Sequence, residues 1–154
     1  MKYIPNSVFE IMEKENCQNK ENIIYNNEYF IVVEDIKHDK KSYHYTAWIK
    51  MDVRSIIEIN NDILNEIVNI RNILQKDGII KSNHFAFVHF PPNYWRLHIH
   101  FVENNHTFCA PKHEILYIDD IINCYNNNPN FFKTNIRIYM NDKIYNRDYQ
   151  LSLL

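Results

Sequence analysis

The sequence predicts an α+β fold: an antiparallel sheet with one long helix packed on a face. Three observations carry this. Several short segments alternate apolar and polar residues with period two, and one long stretch repeats its apolar residues at helical spacing. The order of these segments lacks the strand–helix–strand rhythm of a parallel sheet.

Residues 1–28 are polar and mixed, rich in Asn and Glu, and read as an irregular arm. Tyr29-Phe30-Ile31-Val32-Val33 is aromatic and β-branched, so it reads as a strand. After a charged loop from Glu34 to Lys41, Tyr43 to Lys50 reads as a second strand. The helix spans about Asn61 to Asp77, where Ile63, Ile67, Ile70 and Leu74 form one apolar stripe. Asn60 or Asn61 can cap its start, and Gly78 stands where a left-handed C-terminal cap is expected. His84 to His89 is the next strand, stopped at Phe90-Pro91-Pro92-Asn93 because tandem prolines cannot continue a ladder. Arg96 to Val102 alternates strictly. A loop from Glu103 to Lys112 precedes a helix at about Glu114 to Tyr125, and Phe132 to Met140 alternates again as a strand. The tail from Ile144 to Leu154 has no deciding period. No repeat or linker divides residues 1–154, so a single domain is expected.

Composition removes several functions. Gly78 is the only glycine, and glycine-rich phosphate loops of the P-loop or dinucleotide kind need several. If nucleotides are handled, side chains must hold the phosphates. A net charge of −2 argues against duplex DNA, which needs a dominant basic field. No segment has the length of a membrane span, and the N-terminus lacks a signal-peptide core. Cys17, Cys109 and Cys124 form no paired motif, so a reducing, cytoplasmic setting is expected, with nuclear entry left open.

The alternation at 96–102 is where chemistry concentrates. Leu97, Ile99 and Phe101 share one strand face, while Arg96, His98 and His100 share the other. An apolar face on the core, backed by imidazole and guanidinium groups open to a ligand, is a layout for gripping phosphate. His89 ends the preceding strand, and the Pro91-Pro92-Asn93 turn returns the chain beside it. The plain alternative is that these histidines decorate a solvent-facing strand.

The segment from His89 to Phe101 (His-Phe-Pro-Pro-Asn-Tyr-Trp-Arg-Leu-His-Ile-His-Phe) resembles the histidine-triad (HIT) superfamily. More narrowly, it is similar to the catalytic segment of the scavenger mRNA-decapping (DcpS) family, His-Tyr-Leu-Pro-Ser-Tyr-Tyr-His-Leu-His-Val-His-Phe, without a gap. Upstream, Val53-Arg54-Ser55-Ile56 and Arg71-Asn72-Ile73-Leu74 mirror that family's Ile-Arg-Ser-Leu and Arg-Asn-Ile-Leu. Asp35-Ile36-Lys37 matches an Asp-Phe-Lys, and Val8-Phe9-Glu10 a Val-Phe-Glu. Two departures stand out: Arg96 replaces the first triad histidine, and a chain of 154 residues is expected to lack the amino-terminal domain that closes over the substrate.

The resemblance implies a HIT-like fold and hydrolysis of a cap dinucleotide or short capped RNA. His98 would attack phosphorus and form a phosphohistidine. His100, Arg96 and His89 would neutralise the non-bridging oxygens, with the guanidinium gripping phosphate bidentately. Asn93 would donate to phosphate, Lys37 would contact phosphate or ribose, Asp35 the base, and Glu10 the methylguanine. Tyr94 would line the pocket, and Lys112 or His113 would supply a further cation. No cofactor is required, and a homodimer is the family expectation. His38, His44, His84 and His106 are expected to be structural or on the surface.

Three rivals remain at this stage. His98, His100, His106, Cys109 and His113 are all zinc-type ligands, although the glycine-rich turns of cupin-like sites are missing. A HIT domain could bind capped ends without cleaving them. A generic HIT hydrolase could act on other dinucleoside polyphosphates.

Overall fold

The computed structural model describes residues 2–17, 22–34, 42–90, 94–103 and 115–135. Its centre is an antiparallel six-stranded sheet. In chain order the strands are β2 (Ile23–Asn26), β3 (Phe30–Glu34), β4 (His44–Ile49), β5 (His84–His89), β7 (His98–Glu103) and β8 (Ile115–Tyr117). In space they run β2-β3-β4-β7-β5-β8. The two strands richest in histidine, β5 and β7, are therefore adjacent and interior. A separate parallel pair joins β1 (Lys2–Tyr3) to β6 (Tyr94–Trp95).

Helix α2 (Asn61–Lys76) covers one sheet face through Ile63, Leu64, Ile67, Ile70 and Leu74, all buried. Burying each such side chain fully is worth about 1.5–3 kcal/mol relative to exposure. The Oδ1 of Asn60 accepts from the Ile63 N–H at 3.0 Å and caps the start. Gly78 has φ +69° and closes the end. Phe30, Val32, Ala47, Ile49, Ile99 and Phe101 meet the helix from the sheet. The predicted helix, its caps and the inward side of β7 agree with this arrangement.

Four expectations are corrected. The arm at 1–28 is not irregular: it holds β1, helix α1 (Ser7–Cys17) and β2. Helix α1 has only a narrow apolar footing, in which Phe9 and Met12 pack on Ile31 and Val33, so no broad stripe marks it. Strand β2 is formed by a tight turn in which the Asn27 side chain accepts from the N–H groups of Tyr29 and Phe30.

Residues 115–117 form β8, paired with β5, and helix α3 (Ile118–Asn127) starts later than predicted. Phe131–Asn135 is a short helix, α4, rather than the start of a strand. The Asn128 carbonyl there accepts from the Phe131 N–H at 2.9 Å and turns the chain, and Phe132 enters the core. The alternating part of that expected strand, 136–140, lies outside the described residues.

Finally, the strand containing the motif starts at His98. Arg96 occupies a bend, where its N–H donates to the Tyr94 carbonyl at 2.9 Å. Leu97 is clasped on both sides: its N–H donates to Val53, and its carbonyl accepts from Ile49.

Candidate active site

The register of β4 and β7 assembles the cluster. Trp48 lies opposite His98, and Thr46 opposite His100. Because side chains alternate, His44, Thr46 and Trp48 rise on the same face as His98 and His100. On the other side Phe87 pairs with His100, so β5 contributes Phe87 and His89 to that face. The rings pack edge to face: His98–His100 at 5.1 Å and His89–His100 at 4.9 Å between centroids.

His98 is buried, at 7% exposure. Its Nδ1 lies 2.7 Å from the Arg96 carbonyl, which can only accept, so Nδ1 carries the hydrogen and Nε2 the lone pair. The Trp48 ring stacks on it at 4.2 Å between centroids with planes 28° apart. Burial in the first place, with the neighbouring His89 adding to it, brings its pKa down from 6.5 to about 4; the Arg96 contact opposes the shift only partly. His98 is thus a neutral imidazole with a fixed tautomer near pH 7.

His100 is held between two rings. Phe87 stacks on it with planes 17° apart, and the Nε2 of His44 hydrogen-bonds its Nδ1 at 3.0 Å. Its own Nε2 is buried with no hydrogen-bond partner among the described residues. Burial, followed by His98, His89 and His44, pushes its pKa well below the ordinary imidazole value. A buried ring nitrogen left open beside His98 is available for a ligand oxygen.

The expected open face is therefore half closed. Helix α1 lays Phe9 over Ile31 and Val33, with Trp48 packed alongside, so the wall of the cluster is apolar. Between His89, His98, Arg54 and Ser55 there is a crevice of about 10 Å³, room for one water. A larger cavity of about 560 Å³ lies at the far end of β5, lined by Arg71, Gln75, His84 and Tyr117 among others, and includes none of the cluster histidines.

Arg96 departs most from expectation. It is on the same side as His98, but its side chain is 0% exposed and turned to the N-terminal segment. Nε donates to the Ile49 carbonyl at 3.0 Å, and the two terminal nitrogens reach Tyr3, Ile4, Asn6 and Lys50. All five guanidinium hydrogens are thereby engaged, and none is directed at the histidines. The bidentate phosphate grip expected from sequence is not available in this arrangement.

Tyr94 is 45% exposed and meets the edge of Trp48 at 6.3 Å, at the rim of the cluster. Glu10 is exposed on the first turn of α1, next to the buried Phe9. Asp35, Lys37, Asn93 and Lys112 lie outside the described residues, as do His38, His106, Cys109 and His113. Among the described residues no group of three His, Cys, Asp or Glu side chains is arranged to hold a metal ion. No described helix is long and apolar enough to cross a membrane. His84 stays outside the cluster, with Nδ1 on the Lys81 carbonyl.

Sequence reasoning missed His44 and Trp48, and placed His44 among the structural histidines. Both sit at alternate positions of a predicted strand, which is a signal. Their neighbours across the sheet are set by β4–β7 pairing, which no local pattern reveals.

Comparison with known proteins bears on this geometry. A family model described as "Scavenger mRNA decapping enzyme C-term binding" matches residues 6–115. The chain belongs to this family. The match takes in the N-terminal helix, the cluster strands and the bend at Arg96. A protein named m7GpppX diphosphatase, from Caenorhabditis elegans, is 28% identical over 116 residues, or 68% of this chain. The chain spans 37% of that relative's length. Among solved structures, a HIT family hydrolase from Clostridium thermocellum aligns with 17% identity and a TM-score of 0.45, covering 67% of this chain and 94% of that one. The matched span includes His89, Arg96, His98 and His100.

Proposed function

We propose that this chain hydrolyses the pyrophosphate linkage of a cap dinucleotide or short capped RNA through a phosphohistidine on His98. The observation that supports the reading is the state of His98. Its Nδ1–H is committed to the Arg96 carbonyl, its Nε2 carries a lone pair, and burial keeps the ring neutral. In the reaction, a bond forms between Nε2 and phosphorus while the phosphorus–oxygen bond to the departing nucleotide breaks. The electron pair stays on the departing phosphate oxygen, where an N–H of His100 offsets the charge. Water then attacks the phosphohistidine, returning the lone pair to Nε2 and releasing a nucleoside monophosphate.

His89 sits beside both rings and contributes to binding the non-bridging oxygens. Asp35, Lys37, Asn93 and Lys112 are assigned to the substrate on the family resemblance, as is Glu10. Tyr94 at the rim offers an exposed aromatic face.

The test is to mix the protein with methylated cap dinucleotide and follow 7-methylguanosine monophosphate. Product from the parent protein and none from His98→Ala is the expected result. Binding without product in either protein leaves a cap-binding module and removes the hydrolase. Equal rates on methylated and unmethylated dinucleotides identify a generic dinucleoside polyphosphate hydrolase.

A further inference from the structure

Arg96 is the largest charged side chain in the interior of the described residues, and the chemistry above makes no use of its guanidinium. Burying an arginine completely is unfavourable unless every donor is satisfied and a counter-charge is near. Both conditions are met here by two chain segments far apart in sequence. One is the N-terminal segment: the Tyr3 hydroxyl at 3.4 Å, the Ile4 carbonyl at 3.3 Å and the Asn6 side-chain oxygen. The other is the end of β4 and the residue after it: the carbonyls of Ile49 and Lys50, at 3.0 and 2.7 Å. The Asp52 carboxylate lies 3.5 Å away and also accepts from Tyr3 at 2.8 Å, closing the ring of contacts. Phe9 of α1 lies under the guanidinium, 5.1 Å from its centre.

The same residue touches His98 through its backbone. Its carbonyl is the acceptor that fixes the His98 tautomer. Its side chain anchors the helix whose Phe9 backs Trp48, the ring stacked on His98. Both restraints on the His98 ring, one in its plane and one against its face, thus lead back to this residue.

We propose that Arg96 is a positioning residue for His98: its buried guanidinium ties the N-terminal segment to the end of β4, and the clamped bend holds the carbonyl that orients the nucleophile. The N-terminal segment is then part of the site's structure rather than an appendage. The proposal rests on His98 as the nucleophile, but two of its readouts do not need turnover.

The experiment uses the full chain with Arg96→Lys, Asn6→Ala and Tyr3→Phe. An ammonium has three donors on a flexible stem and cannot span five acceptors. In Arg96→Lys, amide exchange across residues 2–17 should quicken by at least about tenfold, the loss expected for hydrogen bonds to a charged group. The His98 Nδ1–H signal in the proton–nitrogen spectrum should shift or broaden, and kcat on cap dinucleotide should fall with little change in KM. Asn6→Ala and Tyr3→Phe, which leave the arginine in place, should show the first two effects more weakly. Unchanged exchange and an unchanged His98 signal in Arg96→Lys, with weaker binding of inorganic pyrophosphate, would make Arg96 a phosphate ligand and overturn the proposal. If Arg96→Lys does not fold, unchanged exchange in both Asn6→Ala and Tyr3→Phe overturns it equally. If the parent protein hydrolyses nothing, exchange and the ring signal still decide the clamp, and only the choice of nucleophile fails.

Discussion

The Nε2 of His44 hydrogen-bonds the Nδ1 of His100 at 3.0 Å, joining a residue outside the motif to the last histidine within it. One ring must donate and the other accept, so the contact couples their tautomers. With Nδ1 occupied, only Nε2 of His100 is left for a ligand. Replacing His44 by Ala should lower kcat on cap dinucleotide by about tenfold, a fraction of what a direct acid–base partner supplies. His44→Gln, which keeps a donor and an acceptor, should recover part of it. Parent-like rates in His44→Ala would reduce this contact to packing.

The low pKa values of His98 and His100 have a consequence for stability. In the unfolded chain both rings take up protons near pH 6.5, whereas in the folded protein His98 does so only near pH 4, and His100 is displaced in the same direction. Between these limits the unfolded state binds more protons, so stability rises with pH. The contribution is fully present above about pH 6.5 and is lost as pH falls toward 4. Tm measured from pH 7.5 down to 4.5 should therefore decline on the acid side, and the decline should be shallower in His98→Gln. A ring signal of His98 that titrates near 6.5 in the folded protein would contradict the buried, neutral state.

Trp48 is squeezed between the apolar wall and the face of His98. Trp48→Ala should cost about 2–3 kcal/mol, below the value for a fully buried tryptophan because this one is half-buried. Trp48→Phe, which preserves a ring against the imidazole, should cost clearly less. Chemical denaturation reads both, and equal losses would show that stacking adds nothing to volume.

The ends of α2 provide a local test. Asn60→Ala removes a cap whose bond to the Ile63 N–H is 3.0 Å long, and should cost about 1 kcal/mol. Gly78→Ala should cost about 1–2 kcal/mol although a Cβ there meets nothing within 4 Å, because only the positive φ opposes it. In thermal melts each kcal/mol is worth about 2–4 °C for a chain of this size. A neutral Gly78→Ala would mean that the turn relaxes.

Much of the fold was legible because its signals are local. The stripe of Ile63, Ile67, Ile70 and Leu74 marks α2, and alternation marks β5 and the inward side of β7. Helix α1 was not legible, since one buried phenylalanine and a methionine make no stripe. Strand β8 was hidden in an expected helix, since its pairing with β5 is a non-local bond. In the site, His98 and His100 were readable from their spacing, and His89 from the turn that follows it. His44 and Trp48 were not, because they enter through the β4–β7 register.

The lone glycine frames the division. Composition alone ruled out a glycine-rich phosphate loop, so that any phosphate would fall to side chains, while the motif alone singled out His98 and His100. Tertiary structure decided which groups remain available. Arg96 reads in one dimension as a phosphate ligand, since alternation places it beside the histidines. Packing brings five acceptors from two distant segments around its buried charge, and a guanidinium so satisfied has no hydrogen left to offer. A residue's type and spacing set what it could do, but the partners that compete for it come from elsewhere in the chain, and only the fold brings them together.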